Sequence, residues 1–393
     1  MRICVATGEY RLTGETFVNR HIAWLFGGAA CVLAARDHGN HDGSRPVLAY
    51  RPAPAPGPPG QLSQGWHRAV NQWRHATPRP PAGAMRRQVE AFLGRHGVEA
   101  ILAEFGHQGL ALAPVAQAMG LPLFVYFRGS DASRDLGRHR VPEAYRRMMP
   151  KLAGCFAVAQ CLLDGLEAAG VRPTAPRVLP SGADLTQFRP GEKVRGACVS
   201  LGRFVEKKAP DLTLRAFAAL SDQPDARLAM IGDGPMLDPC RRLASELGVA
   251  DRVAFTGALP PSEVRAHLAR AQVFLQHSVT APNGNTEGQP TAIQEALASG
   301  CAVVSTRHAG IPEAVEDGRH GALVAEHDLD GYARALRRTL ARPDLTTVAA
   351  ACRARAEDRF DAARLRAAVE DTIRERSAIW HQALASGRQS RAP

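Results

Sequence analysis

Short apolar runs of strand length alternate along this chain with amphipathic runs of helix length. The apolar runs fall at residues 2–6, 100–103, 123–127, 155–159, 197–201, 228–232, 253–256, 273–276 and 302–306, with helix-sized segments such as 211–220 and 261–271 between them. Such alternation predicts an α/β protein built on parallel sheets with helices on both faces. It runs through both halves. One stretch interrupts it: RPAPAPGPP at 51–59, with further prolines at 78, 80 and 81. Proline fixes φ and removes a backbone donor, so an irregular surface segment is expected there, either a plain connector or a flap. Turn residues and charge gather at 188–194, and a strand starts afresh after them. The expected organisation is therefore one domain over residues 1–190, a second over 191–360, and a closing helix with tail over 361–393. In that last segment Leu365, Val369, Ile373 and Trp380 fall on roughly one helical face.

Length and composition agree with two soluble domains. The chain has 393 residues, 45% hydrophobic and 22% charged, which excludes wholesale disorder. A net charge of +11 favours anionic partners: nucleotide phosphates, nucleic acid or an acidic membrane surface. The eight cysteines form no CxxC pair and do not cluster with histidines at zinc spacing, so buried free thiols in a reducing compartment are expected. The opening MRICVATGEY reads as a strand without a long apolar leader, and no run approaches the ~20 apolar residues of a membrane span. These features predict a cytoplasmic protein. Basic residues at 134–151, interleaved with Val141, Tyr145, Met148 and Met149, suit either a solvated helix face or peripheral contact with anionic lipid on the inner membrane face.

The chemistry concentrates in the second half. Residues 285–304 read NTEGQPTAIQEALASGCAVV, which predicts a loop, a helix over 291–299 and a strand from 301. Free N–H groups and the positive dipole end of such a helix suit phosphate. Glu287 lies just before the helix and Glu295 one turn in, where carboxylates can accept hydrogen bonds from sugar and ribose hydroxyls. A second motif, SLGRFVEKKA at 200–209, puts Arg203 and Lys208 after a strand and a glycine turn. Two fixed cations would stabilise charge developing on a departing diphosphate without a metal ion. His107, in EFGHQG, is a candidate at a strand end, with a structural role as the alternative. Asp328 and Asp330 form a DxD that helix capping explains better than metal binding.

Taken in order, GRxxxxK, IGDGP at 231–235, FTGALP at 255–260, EGxP with Glu-x7-Glu, and GIPE at 310–313 resemble glycosyltransferase family 4 over residues 197–324. The resemblance implies the GT-B fold: two facing Rossmann-like domains with a cleft between them, the first for the acceptor and the second for a nucleotide sugar. It implies retaining, metal-independent transfer with no cofactor, the UDP- or GDP-linked sugar being a substrate. Arg203 and Lys208 match the diphosphate pair, Glu295 the ribose ligand and Glu287 the carboxylate at the transferred sugar. Gly288, Gln289, Pro290 and Thr291 match the phosphate and sugar loop, and Gly257 and Ala258 the loop near the base. GETF, from Gly14 and Glu15 to Phe17, resembles the SETF opening of colanic-acid and exopolysaccharide enzymes, and TAPNGNTEG at 280–288 and STRHAGIPE at 305–313 point the same way.

One residue departs from the family pattern. FRGSD carries Arg128 where relatives often have a histidine near the sugar and acceptor. Arginine cannot serve as a general base, so Arg128 is expected to bind an acidic acceptor or the diphosphate. The resemblance points to a saccharide or polyprenyl-linked acceptor in surface polysaccharide assembly, and not to nucleic acid. An epimerase on the same fold and a catalytically silent sugar-nucleotide binder are the alternatives. A dinucleotide dehydrogenase is disfavoured because IGDGPM lacks the third glycine of GxGxxG.

Overall fold

The computed structural model describes residues 1–12, 14–36, 39, 43–50 and 58–387. Among them the strands form two sheets, and every strand pairing is parallel. The first sheet contains β1 (Ile3–Glu9), β2 (Ala30–Arg36), β3 (Val47–Ala49), β4 (Ala100–Glu104), β5 (Leu123–Phe127), β6 (Gly154–Ala157) and β7 (Pro176–Val178), in the order β3-β2-β1-β4-β5-β6-β7. The second contains β8 (Val194–Leu201), β9 (Arg227–Ile231), β10 (Val253–Gly257), β11 (Ala271–Gln276), β12 (Ala302–Thr306) and β13 (Gly321–Val324), in the order β10-β9-β8-β11-β12-β13.

The central strands are mostly apolar because helices cover both of their faces. Val5, Leu102, Val125, Phe274 and Val303 are fully buried. β7 is a short edge strand that begins with Pro176, a position where the missing donor costs no ladder bond. Each sheet reverses its winding once, at β1/β4 in the first and at β8/β11 in the second. In open parallel sheets the crevice at the carboxyl ends of the strands on either side of such a reversal is where ligands bind. The loops after β1 and β4 in the first sheet, and after β8 and β11 in the second, therefore line such crevices.

The chain divides into two compact units: Met1–Leu179 together with the chain from Arg366 on, and Pro180–Leu365. The division falls eight residues before the turn-rich segment at 188–194, and so before the boundary expected at 190/191. The reason is that the backbone of Ala183 already pairs with Phe360 and Ala362 of the second unit. The C-terminal helix Ala362–Ala385 begins in the second unit and continues in the first. There Val369, Ile373 and Trp380 join the first core, and Trp380 donates to the Gly120 carbonyl at 3.0 Å. Of the proline-rich stretch at 51–59, residues 51–57 lie outside the described residues. Pro58 and Pro59 open the helix Pro58–His75, since the first turn of a helix tolerates proline. Seven of the eight cysteines are buried, Cys161 is half-buried, and all are free.

Candidate functional site

The second unit builds its switch-point loops by close backbone contact. Gly202, at φ 149°, follows β8, and Gly232 and Gly234, at φ 136° and 148°, follow β9. A Cβ on Gly232 would lie 2.0 Å from the Gly202 carbonyl oxygen, and one on Gly234 would lie 2.6 Å from that of Phe204. Only glycine permits both the φ values and the contact. This is the physical content of the IGDGP motif: it braces the turn that carries Arg203. The bracing is completed by hydrogen bonds from the Phe204 N–H to the Asp233 carbonyl (2.9 Å) and from the Met236 N–H to the Phe204 carbonyl (3.1 Å).

After that turn a single 3₁₀ turn, Glu206–Lys208, presents two adjacent lysines before the helix Pro210–Ala218. Lys208 Nζ lies 3.1 Å from Glu287 Oε1 and donates to Gln276 Oε1 at 3.4 Å, at the end of β11. Lys207 Nζ lies 3.3 Å from Glu287 Oε2 and donates to the Thr286 carbonyl at 3.0 Å. Glu287 is thus clamped between two cations from the loop across the switch point. Burial alone would raise its pKa, but Lys208 and Lys207 outweigh it and hold the carboxyl at about 2. Burial lowers the Lys208 pKa, as do Lys207 and Arg203, and Glu287 offsets this only in part. Arg203 is exposed beside this cluster. Lys207 was not singled out by the sequence; its adjacency to Lys208 in EKK is the only signal that could have found it.

The Glu287 loop is itself held from behind. His308 is buried, at 1% exposure, and its Nε2 accepts the Glu287 N–H at 3.0 Å while its Nδ1 contacts Glu326 Oε1 at 2.6 Å. Because Nε2 accepts, Nδ1 carries the proton donated to Glu326. Glu326 Oε2 accepts the Thr280 N–H at 2.8 Å, so the two ends of TAPNGNTEG are tied to one side-chain pair after β12 and β13. The Gly310 N–H donates to the Gly288 carbonyl at 2.9 Å. STRHAGIPE and TAPNGNTEG are therefore two parts of one brace, which neither motif reveals alone.

The helix expected over 291–299 runs Thr291–Ala298, with Pro290 preceding it and Gly300, at φ 73°, closing it. Ile293, Ala296 and Leu297 bury its inner face. Glu295 is half-buried on the other side. Gln289 and Pro290 are buried, and Thr291 is half-buried at the helix start. Gln294 donates to Gln289 Oε1 at 3.2 Å and accepts the Gly182 N–H at 2.7 Å, which fixes the loop to the chain entering this unit. Gly257 ends β10 at φ 69°, and Ala258 after it is exposed. Asp328 caps the helix Leu329–Leu340, accepting the Gly331 N–H at 2.8 Å, so capping accounts for the DxD.

The first unit gathers its candidates at the carboxyl ends of β4 and β5. Arg128 donates from Nε (2.9 Å) and from a terminal nitrogen (2.7 Å) to Glu104 Oε2, and Glu104 Oε1 lies 2.5 Å from His21 Nδ1. The guanidinium also sits over the rings of Tyr126 (3.7 Å) and Phe17 (4.5 Å). Glu104 is fully buried, and although burial opposes its ionisation, Arg128 and His21 hold it below the usual carboxylate range. Arg128 is thus already neutralised inside its own unit, and any role toward an anionic ligand must compete with Glu104. His107 starts the helix Gly106–Met119 and stacks on Phe105 at 5.5 Å; Phe105 meets Phe17 of GETF edge-on at 6.2 Å. Gly14, exposed at φ 92°, and the half-buried Glu15 lie just before the helix Thr16–Trp24, which follows β1. Glu104 and His21 went unnoticed in the sequence because nothing local marks a contact across 83 residues.

Comparison with known proteins agrees with these motifs. A family model described as "Glycosyl transferases group 1" matches residues 190–358. A protein of Salmonella typhimurium named as the colanic acid biosynthesis glycosyltransferase WcaL is 33% identical over 248 residues, 61% of this chain and 60% of that one. The match thus spans three fifths of that relative's length. The GDP-mannose-dependent alpha-(1-6)-phosphatidylinositol monomannoside mannosyltransferase of Mycolicibacterium smegmatis is 30% identical over 280 residues, 67% of this chain and 72% of that one. Among solved structures, Anabaena Alr3699/HepE in complex with UDP has a TM-score of 0.74 at 19% identity, covering 95% of this chain and all of that one. That likeness is one of fold, the two-sheet GT-B architecture.

Proposed function

The chain belongs to the glycosyl transferases group 1 family, and from that premise we propose that it transfers a sugar from a UDP- or GDP-linked donor to a saccharide or polyprenyl-linked acceptor, retaining anomeric configuration and using no metal ion. The setting proposed is surface polysaccharide assembly in the cytoplasm, at the inner membrane face. The observation that carries the reading is the clamp of two half-buried lysines, Lys207 and Lys208, on the buried Glu287 at a parallel-sheet switch point, beside the start of the helix Thr291–Ala298. Counting Arg203, three cations face one carboxylate, which leaves a net positive charge for a diphosphate.

In this reading the diphosphate lies against Lys208, Arg203 and the N–H groups at 288–291, and Glu295 accepts from the ribose. Glu287 accepts from hydroxyls of the transferred sugar and orients its anomeric carbon. As the bond from that carbon to the phosphate oxygen breaks, its electron pair goes to the diphosphate, where fixed cations stabilise it. The acceptor hydroxyl oxygen bonds to the same face of the carbon, and its proton passes to the leaving phosphate oxygen. No protein base is needed, which is compatible with Arg128 where relatives often have histidine. The nucleotides named for the Mycolicibacterium relative and the Anabaena structure keep both GDP and UDP in range.

Chelation tests the charge argument. In excess EDTA, turnover should stay within about twofold of the untreated rate, because side-chain cations do the work of a metal. A large loss restored by Mn²⁺ or Mg²⁺ would contradict it.

A further inference from the structure

Residues 43–89 contain seven arginines and two histidines and not one aspartate or glutamate. The helix Pro58–His75 lies in this stretch. Trp66 and Trp73 on it are 71% and 77% exposed, more than any other large apolar side chain among the described residues. Seven residues apart, they stand on the same helix face, with exposed Ala69 between them. Arg74, exposed, borders that face, while Arg68, also exposed, stands nearly opposite the indoles. The end of the helix is fastened to a second basic element: Arg147, of the helix Val141–Met148, donates to the carbonyls of Trp73 (2.9 Å) and Arg74 (3.3 Å). Positive charge is dense enough here that His75, disfavoured as a cation first by burial, is lowered further by Lys151, Arg74, Arg86 and Arg147 to about 4.

Two indoles in water with no acidic residue near them in sequence serve no folding purpose. Indole rings favour the headgroup level of a bilayer, and flanking arginines favour anionic lipid. No described helix is long and apolar enough to cross a membrane. We propose that this face, Trp66 and Trp73 bordered by Arg74 and Arg147, seats the protein on an anionic bilayer with both indoles at the headgroup level. The inference rests on the proposed function only for its purpose, bringing the first unit to a lipid-linked acceptor. It also gives the basic segment at 134–151 a neighbour that supplies the apolar half of the contact.

Vesicle co-sedimentation tests it on the full chain. Vesicles of phosphatidylglycerol with phosphatidylcholine should bind the protein at least ~10-fold more tightly than phosphatidylcholine alone, and high salt should weaken that binding. Adding the anionic vesicles should shift the tryptophan emission to the blue. Trp66→Ala/Trp73→Ala should lose the shift and weaken binding by ~10-fold or more, with donor hydrolysis in solution unchanged. Equal binding of both vesicle types, or undiminished binding by the double variant, overturns the proposal. So does an emission shift produced by saccharide alone without vesicle binding, which would make the tryptophans a sugar platform. Vesicle binding that persists in a protein hydrolysing no nucleotide sugar would sink the catalytic reading and leave this one standing.

Discussion

Lys208→Ala should lower turnover by ~10²-fold or more, the size expected when a preorganised charge facing a leaving group is removed. Its ammonium is fixed between Glu287 and Gln276, and its stem lies against Gly202, where an added Cβ would be 3.0 Å from Lys208 Cδ. Such a group pays little reorganisation cost when charge develops on the diphosphate. The protein should stay folded, because Lys207 remains to pair Glu287. Arg203→Ala should also be severely impaired. The double variant should be less than additive, since both cations act on one leaving group. Initial rates at saturating donor decide the matter. Near-wild-type turnover in Lys208→Ala would remove this lysine from the reaction and leave it a structural partner of Glu287.

Glu287 and Glu295 should fail in different ways. Glu295→Ala should weaken binding of the free nucleoside diphosphate by about tenfold, the size of one charge-assisted hydrogen bond lost at the ribose. Glu287→Ala should leave that binding largely intact, or strengthen it, because two lysines lose their internal carboxylate partner. Its transfer rate should fall by ~10²-fold, as contacts that orient the anomeric carbon are lost. Calorimetric titration of both variants with the nucleoside diphosphate, beside initial rates with the intact donor, separates the roles. Equal nucleotide binding in the two variants, or the reverse pattern, would show the roles to be wrongly assigned even on the right fold.

How much of this the chain announces depends on whether a feature is local. β4, β5, β9, β11 and β12 each carry an uninterrupted apolar stretch of three to five residues, as buried parallel strands do; they are legible at once. The helix at 291–298 is equally plain, bounded by Pro290 and Gly300. The glycines of IGDGP are visible as a motif, but their reason, backbone contact with the turn at 202–204, lies about 30 residues away. Contacts between distant loops were not legible. Lys207 reads as a surface lysine until Glu287 is seen 80 residues on, and His308 reads as a loop histidine until its ring is found between Glu326 and the Glu287 N–H. Arg128 is the sharpest case. From sequence it is a cation where relatives often have a base; in the structure Glu104 and two aromatic rings already occupy it. The division between the units falls earlier than expected for a related reason, since Ala183 looks like part of a tail of the first domain but its backbone pairs with Phe360 and Ala362.

The central claim is that a nucleotide sugar reacts at the Lys208–Glu287 clamp. The most direct test is nucleoside diphosphate release from a panel of UDP- and GDP-linked sugars, measured for the wild-type chain and for Lys208→Ala side by side. The account predicts that the wild type cleaves donors of one nucleotide class, slowly with water and faster with a saccharide acceptor, and that the variant's rate is lower by ~10²-fold or more. Release of no nucleoside diphosphate from any donor, or equal release by wild type and variant, would contradict it.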